Sequence, residues 1–337
     1  MNEESVSGFK VAILVLNHNG QRFLSGCFSS LKDQDYTNFE VYLIDNCSSD
    51  NSIEYTERNF PFVKIIRFHN NLGFAKAYNE AIKLVKADFA VFLNNDTVVD
   101  KFWLTELIKP VMSDKMIAAV GSKLLLMDQP NLLHNAGSKI TPIGSGFDMG
   151  FREENNQKYN VKKEVGAVCG GSMLVPKDVF LKIGGFDEDF FAYFEDVDYC
   201  WRAWIFGYKI IYSPSSVVLH KVGGSFRSDS LEKSFLFERN RLFTVLKNFE
   251  LKGLFLALLL SIPYNVAKIF PNNQIASGSL FVTNLRANLY VLRHLKGALR
   301  KRKLIGSCRV VSDKVLYQHN IISSVGEGLR EFFKSFS

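Results

Sequence analysis

Phe92 to Asp100 read FLNNDTVVD, an apolar run with the composition of a buried strand that ends on Asn94, Asn95, Asp96 and Thr97. Such polar groups are costly to bury unpaired. A carboxylate in that place can hold a hard divalent cation, which binds through one or two carboxylates and completes its shell with substrate phosphates. The same residues can instead cap the next helix, and Asp100, just ahead of KFWLTELIK, is a rival cap. The densest acidic cluster is GGFDEDFFAYFEDVDYCWR, Gly184 to Arg202, with six acids among large aromatic rings. Aromatic walls lower the local dielectric and raise a carboxylate's pKa, the condition for a general base. Equally, Glu195, Asp196 and Asp198 at a helix start would favour its positive end.

Four further groups of residues carry chemistry of lower specificity. In DNCSSD, Asp45 and Asp50 can accept from a nucleobase edge or a ribose hydroxyl, or form a turn. In NNLGFAKAYNEA, Gly73 lets backbone approach a ligand, and the helix from near Phe74 has free amides suited to phosphate, although Gly73 is also an ordinary turn residue. Neither a Walker loop nor GxGxxG is present. His220, closing SSVVLH, reads as a structural hydrogen bonder or a ligand. Arg227, Arg239 and Arg241 can grip phosphates through their planar forks, or form a solvated basic face.

These residues need elements to hold them. Val11–Asn17, Phe39–Asn46, Val63–Phe68 and Phe89–Asp96 read as strands, and Gln21–Lys32, Ser52–Asn59 and Ala75–Val85 have helical spacing. Repeated strand, helix, strand predicts a mostly parallel sheet flanked by helices, an α/β class whose ligands sit beyond the carboxyl ends of the strands. All four polar clusters then fall on one edge. Residues 101–160 read as a looser stretch with loops. A second ordered block starts at VGAVCGGSMLVP, and Leu231–Phe249 is helical. The expected division is a domain over 1–230, with halves of about 9–100 and 101–230, and a helical basic extension over 231–337.

With 337 residues, 47% hydrophobic, the chain can bury a large core, so disordered and fibrous classes are out. Five cysteines without a CxxC pair suit a reducing cytosol. No secretory signal is visible in MNEESVSGFK. The most apolar segment, Gly253–Tyr264, is shorter than the roughly 20 residues a bilayer span needs, and reads as a buried or interfacial helix. The net charge of +7 is concentrated in the last third, which predicts a negatively charged partner there.

VAILVLNHNG, VYLIDNCSSD, NNLGFAKAYNEA, FLNNDTVVD, the long block from CGGSMLVP to SSVVLH and the Arg239–Arg241 RNR together resemble the inverting glycosyltransferases of family 2, with the GT-A fold, and especially their rhamnosyltransferase-like branch. The resemblance covers roughly residues 9 to 250. It implies that Asn17, Asp45, Asn71, Gly73, Asn79, Asn95 and Asp96 contact a uridine- or deoxythymidine-linked nucleoside diphosphate sugar. Its metal motif, often Asp-x-Asp, falls on Asn94-Asn95-Asp96, with His220 completing a Mn2+ or Mg2+ shell. It further implies Asp196 as base, Glu195 as orienting acid, and Arg239 and Arg241 as acceptor or phosphate contacts. The implied acceptor is a glycan or a polyprenyl-diphosphate carrier, in a cytoplasmic enzyme peripheral to the inner face of an anionic membrane. A packed extension or a homo-oligomer through residues 231–337 is the alternative, and no nucleic acid partner is expected. A sugar nucleotidyltransferase would carry a GxGTRL-like loop where this chain has NHNGQR; a non-catalytic sugar-nucleotide binder is the other rival.

Overall fold

A computed structural model describes residues 8–221, 231–267 and 277–334. The chain begins β1 (Val11–Asn17), α1 (Gln21–Lys32), β2 (Phe39–Asn46), α2 (Ser52–Asn59), β3 (Val63–Phe68), α3 (Gly73–Leu84) and β4 (Phe89–Asn94), the alternation expected from the sequence. Next come β5 (Thr97–Val99), α4 (Trp103–Ser113), β6 (Ile117–Leu126), β7 (Gln129–Asn135), β8 (Ser138–Ile140) and β9 (Gly146–Asp148). Then follow β10 (Lys163–Glu164), β11 (Ser172–Pro176), α5 (Lys177–Ile183), α6 (Glu195–Ile205) and β12 (Lys209–His220). The remainder is helical: α7 (Leu231–Asn248), α8 (Leu251–Ala267), α9 (Ser277–Arg293), α10 (Leu295–Ser307), α11 (Asp313–Gln318) and α12 (Val325–Lys334).

The main sheet runs β10-β12-β6-β11-β4-β1-β2-β3, with β5 on β12 and β7 on β6. Pairs β1–β2, β1–β4, β2–β3 and β6–β12 are parallel; β11 lies antiparallel between β4 and β6. Helical crossovers make the parallel half possible and cover both faces, so its central strands β1 and β4 are near-continuous buried apolar runs, while β3 at the edge exposes Lys64 and Arg67. Register does the rest. Asn17 lies opposite Asp45, and Leu16 opposite Asn94, so the polar strand ends meet on one edge.

Two expectations need adjustment. Residues 101–160, read as a looser stretch with loops, also supply α4 and the ten-residue β6 inside the sheet. Strand β4 stops at Asn94; Asn95 and Asp96 form a turn into β5. Segment Gly253–Tyr264 does form a helix, α8, but only Ala257 and Ser261 in it are buried. Among the described residues no helix is long and apolar enough to cross a membrane.

Candidate active site

Asp96 and Asp196 line one cleft of about 650 Å³, together with Asn71, Gly73, Asn95, Glu195 and His220. Asp96 reaches it from the turn between β4 and β5, and His220 from the end of β12, which β5 pairs with directly. The Asp96 carboxylate is buried, its Oδ1 accepts no hydrogen bond, and His220 Nε2 lies 3.3 Å from that oxygen. His220 Nδ1 stands 3.0 Å from Nδ1 of His134, whose pKa burial, with the neighbouring His220, pushes down to about 3. That imidazole is neutral, so one ring donates to the other. Asn94 Nδ2 is 3.4 Å from His220 Nε2, the far limit of a hydrogen bond; an amide there puts the His220 proton on Nδ1, towards His134, and leaves Nε2 with a lone pair that a cation beside Asp96 would take in place of the Asn94 N–H.

A buried carboxylate oxygen without a donor next to an imidazole lone pair is a fitting half-shell for a divalent cation. Among the described residues no group of three His, Cys, Asp or Glu could hold a metal ion by itself, so these two donors leave the rest of a shell to substrate oxygens.

Glu195 and Asp196 occupy the first turn of α6. The turn is set by Phe194, left-handed at φ 71°, which breaks the preceding chain and starts the helix facing the cleft. Asp196 is half-buried, and its Oδ2 accepts from the Gly170 amide at 2.8 Å while Oδ1 accepts from Val197 N at 2.8 Å. Burial raises its pKa, a shift those backbone amides oppose. Glu195 is buried more deeply, with Oε2 unpartnered, and burial followed by the adjacent Asp196 charge drives its pKa well above the carboxylate range. A fixed carboxyl with a raised pKa is what a general base needs.

At the donor edge, Asn17 Oδ1 accepts from Asn95 Nδ2 at 2.7 Å, which fixes the turn that carries Asp96. Asp45 is fully buried behind the cleft lining; its Oδ1 accepts from Ser48 N at 3.3 Å and its Oδ2 accepts from nothing. Asn71 Oδ1 accepts from Gly73 N at 2.9 Å, and Gly73 is left-handed at φ +75°. A Cβ there would stand 2.5 Å from the Phe191 carbonyl oxygen, so glycine is required by close approach.

Several sequence expectations land elsewhere. The first amides of α3 are not free: the Phe191 carbonyl accepts from Phe74 N at 2.5 Å and Ala75 N at 3.4 Å. Asn79 clamps the loop after α5, donating to Phe186 O and Glu188 Oε1 and accepting from Phe186 N, and does not line the cleft. Arg239 and Arg241 are buried and also outside the lining. Arg241 is paired with Glu238 and donates to Ile143 O and Ser261 Oγ, while Arg239 donates to the Asp189 and Phe190 carbonyls. Their forks are engaged by protein groups, the Glu238 carboxylate and backbone carbonyls, and not turned into the cleft. Arg227 lies outside the described residues. Sequence reading missed His134 and Asp148, both in the lining, since a lone His in LLHN and a lone Asp in GFDMG carry no spacing signal.

Residues 12–184 match the model of "Glycosyl transferase family 2", half of the chain. Rhamnosyltransferase WbbL of Escherichia coli K12 is 27% identical over 222 residues, 62% of this chain and 83% of that one. A poly-beta-1,6-N-acetyl-D-glucosamine synthase of Staphylococcus epidermidis is 24% identical over 61% of this chain, which spans 48% of that synthase. The solved structure of GalNAc-T7 with UDP, GalNAc and Mn2+ superposes with a TM-score of 0.61 at 15% identity, over 83% of this chain and 54% of that one. The mannosyltransferase PcManGT of Pyrobaculum calidifontis, with GDP-Man and Mn2+, gives 0.54 at 14% identity, over 85% and 75%. The fold is GT-A, and with half its length on the family model the chain belongs to glycosyl transferase family 2.

Proposed function

We propose that this glycosyltransferase moves a sugar, rhamnose by its likeness to WbbL, from a uridine or deoxythymidine diphosphate donor to a hydroxyl of a glycan or polyprenyl-diphosphate-linked acceptor, inverting the anomeric centre. The observation that carries the proposal is the sharing of one cleft by Asp96 and Asp196. Asp196 takes the acceptor hydroxyl's proton, the oxygen bonds to the anomeric carbon from the face opposite the diphosphate, and the bond from that carbon to the diphosphate oxygen breaks. Glu195 orients the acceptor or the base. Asp96 and His220 would hold Mn2+ or Mg2+, in keeping with the Mn2+ named for two structural neighbours. When bound, such a cation neutralises charge on the departing diphosphate. Asn71, Gly73 and Asn95 line the donor edge, with Asn17 and Asp45 buried just outside that lining, where Asp45 Oδ2 would take a donor such as a ribose hydroxyl. A role in cell-surface polysaccharide synthesis is supported by the staphylococcal relative's name. The test is product analysis by NMR with dTDP-rhamnose and UDP-sugars in Mn2+: transfer with retained anomeric configuration, or no transfer to any hydroxyl acceptor, sinks the reading.

A further inference from the structure

We propose that Asp148 is an acceptor-specificity residue: its second carboxylate oxygen, open to the cleft, accepts from a hydroxyl of the acceptor sugar other than the one that reacts. This role rests on the transfer to a hydroxyl proposed above, and adds the residue that selects the acceptor.

The chain spends two buried donors on one oxygen of this side chain. Asn135 ends β7, Ser138 starts β8 and Asp148 ends β9, and the antiparallel register sets Ser138 opposite Asp148. Asn135 and Ser138 are both buried. Asn135 Nδ2 donates to Asp148 Oδ1 at 2.6 Å and to Ser138 Oγ at 3.0 Å, and Ser138 Oγ donates to Asp148 Oδ1 at 2.8 Å. The amide is fixed in turn, because Asn135 Oδ1 accepts from Gly137 N at 2.8 Å. Two donors on Oδ1 hold the carboxylate in place. Among the described residues nothing donates to Oδ2, and Asp148 is exposed where it lines the cleft.

Chemistry narrows the occupant. A bare carboxylate oxygen accepts from N–H or O–H groups and repels phosphate, so the donor's diphosphate is not its partner. Nor is Asp148 a third ligand for a cation at Asp96 and His220, since among the described residues no group of three such side chains could hold a metal ion. A neutral ligand rich in hydroxyls fits, and both sugars of the reaction have that character.

Position separates the two sugars. Asn71 and Gly73 of the donor edge follow β3, and Asn95 follows β4, whereas the β8–β9 hairpin follows β7, which pairs with β6, separated from β4 by β11. The hairpin lies against the first turn of α6: a Cβ at Gly146 would stand 3.0 Å from Cγ2 of Val197, the residue after Asp196. Asp148 and Asp196 also feel each other, since burial raises the Asp196 pKa first and the Asp148 charge adds to it. Asp148 therefore stands with the base, to which the acceptor hydroxyl must come, and away from the donor edge.

The test uses the full chain with dTDP-rhamnose and Mn2+. The acceptor probes are octyl glycosides of glucose, galactose and N-acetylglucosamine, each intact and lacking one ring hydroxyl at a time. With the unmodified chain, loss of one non-reacting hydroxyl should lower acceptor kcat/KM about tenfold to a hundredfold. In Asp148→Asn the amide oxygen still accepts from Asn135 and Ser138, so the same loss should matter less than about twofold, and KM for dTDP-rhamnose should not move. Both rates in that ratio are measured on one protein, so a change in folded fraction cancels. Saturation-transfer NMR of the same glycosides reads binding without turnover: a chain that binds them through Asp148 but transfers no sugar keeps this proposal and removes only the catalytic reading. Three results overturn it: no single hydroxyl matters to the unmodified chain, whether by transfer or by binding; Asp148→Asn discriminates as well as its parent; or donor KM rises in that variant in place of lost discrimination.

Discussion

At the scale of single residues, Asp96 and Asp196 are both carboxylates in one cleft, yet their surroundings differ. Asp96 has an imidazole beside a bare oxygen, and Asp196 has two amides holding both oxygens. Asp196→Asn keeps shape and loses the proton acceptor, so transfer should fall by about 10² to 10⁴. The thermal shift produced by UDP or dTDP with Mn2+ should persist, and its loss would instead make Asp196 a donor contact. Asp96→Asn should do the reverse, removing the Mn2+-dependent part of that shift. Because burial raises the Asp196 pKa and the proposed base would work ionised, the acid limb of kcat against pH should lie above the ordinary aspartate value of about 3.9. Glu195 gives a linkage prediction of definite sign. Its native pKa is raised, so its favourable contribution is complete below the unfolded pKa, about 4.3, and is lost as pH rises through the native value. Glu195→Gln should therefore gain on the parent in urea midpoint between pH 5 and 8.

At the scale of elements, the loop 190–194 joins the two halves of the site and is strained. Phe191 has φ 63° and ψ −62°, with Ala192 N donating to Phe190 O at 2.7 Å, the rare γ-turn of positive φ, and Tyr193 and Phe194 are left-handed as well. Asn240 holds the loop, its Nδ2 reaching the carbonyls of Phe190, Ala192 and Tyr193 at 2.7 to 3.1 Å. Asn240→Asp cannot donate, so it should cost about 1–3 kcal/mol of stability and lower kcat more than donor KM. Stopped chemical denaturation and initial rates would show the opposite, no change in either, if the loop holds itself. The RNR stretch was visible in sequence, but its role was not, because arginine forks match backbone carbonyls as well as phosphates. Strands β1, β2 and β3 were legible to the residue, since each is a short β-branched run closed by polar residues. Strand β6 was not: Gly121 and Lys123 interrupt its run. A Cβ at Gly121 would meet Val168 at 2.4 Å, and buried Lys123 donates to Asn155 Oδ1 at 3.2 Å, two tertiary reasons that no local pattern records.

At the scale of the whole molecule, the helices after residue 230 bear on the catalytic core directly. Lys247 of α7 is buried between Asp187, from the loop after α5, and Asp198 of α6, with its ammonium 2.9 Å from Asp198 Oδ1. Near the other end of the chain, Ser323 N donates to Ile140 O at 2.8 Å, extending β8 by one more partner. A boundary at 230 thus separates segments of sequence that share buried charge. Burial alone would raise the Asp187 carboxyl, but the Lys247 and Lys301 ammoniums beside it hold it below the ordinary range. A depressed native pKa contributes stability that is complete above the unfolded value, about 3.9, and is lost as pH falls through and below it. Removing the shared cation is the sharper perturbation. Lys247→Ala leaves Asp187 with Lys301 and Asp198 with Arg202, two buried carboxylates each short of one cation, so it should cost at most about 3–5 kcal/mol. Lys247→Met restores the volume but not the charge, and should recover little of that loss at pH 7 and more at pH 4, where Asp187, with Lys301 as its one remaining cation, protonates more readily than in the parent. Equilibrium urea unfolding of both variants at the two pH values decides the matter: if methionine matches lysine at pH 7, the ion cluster is not what ties α7 to the core.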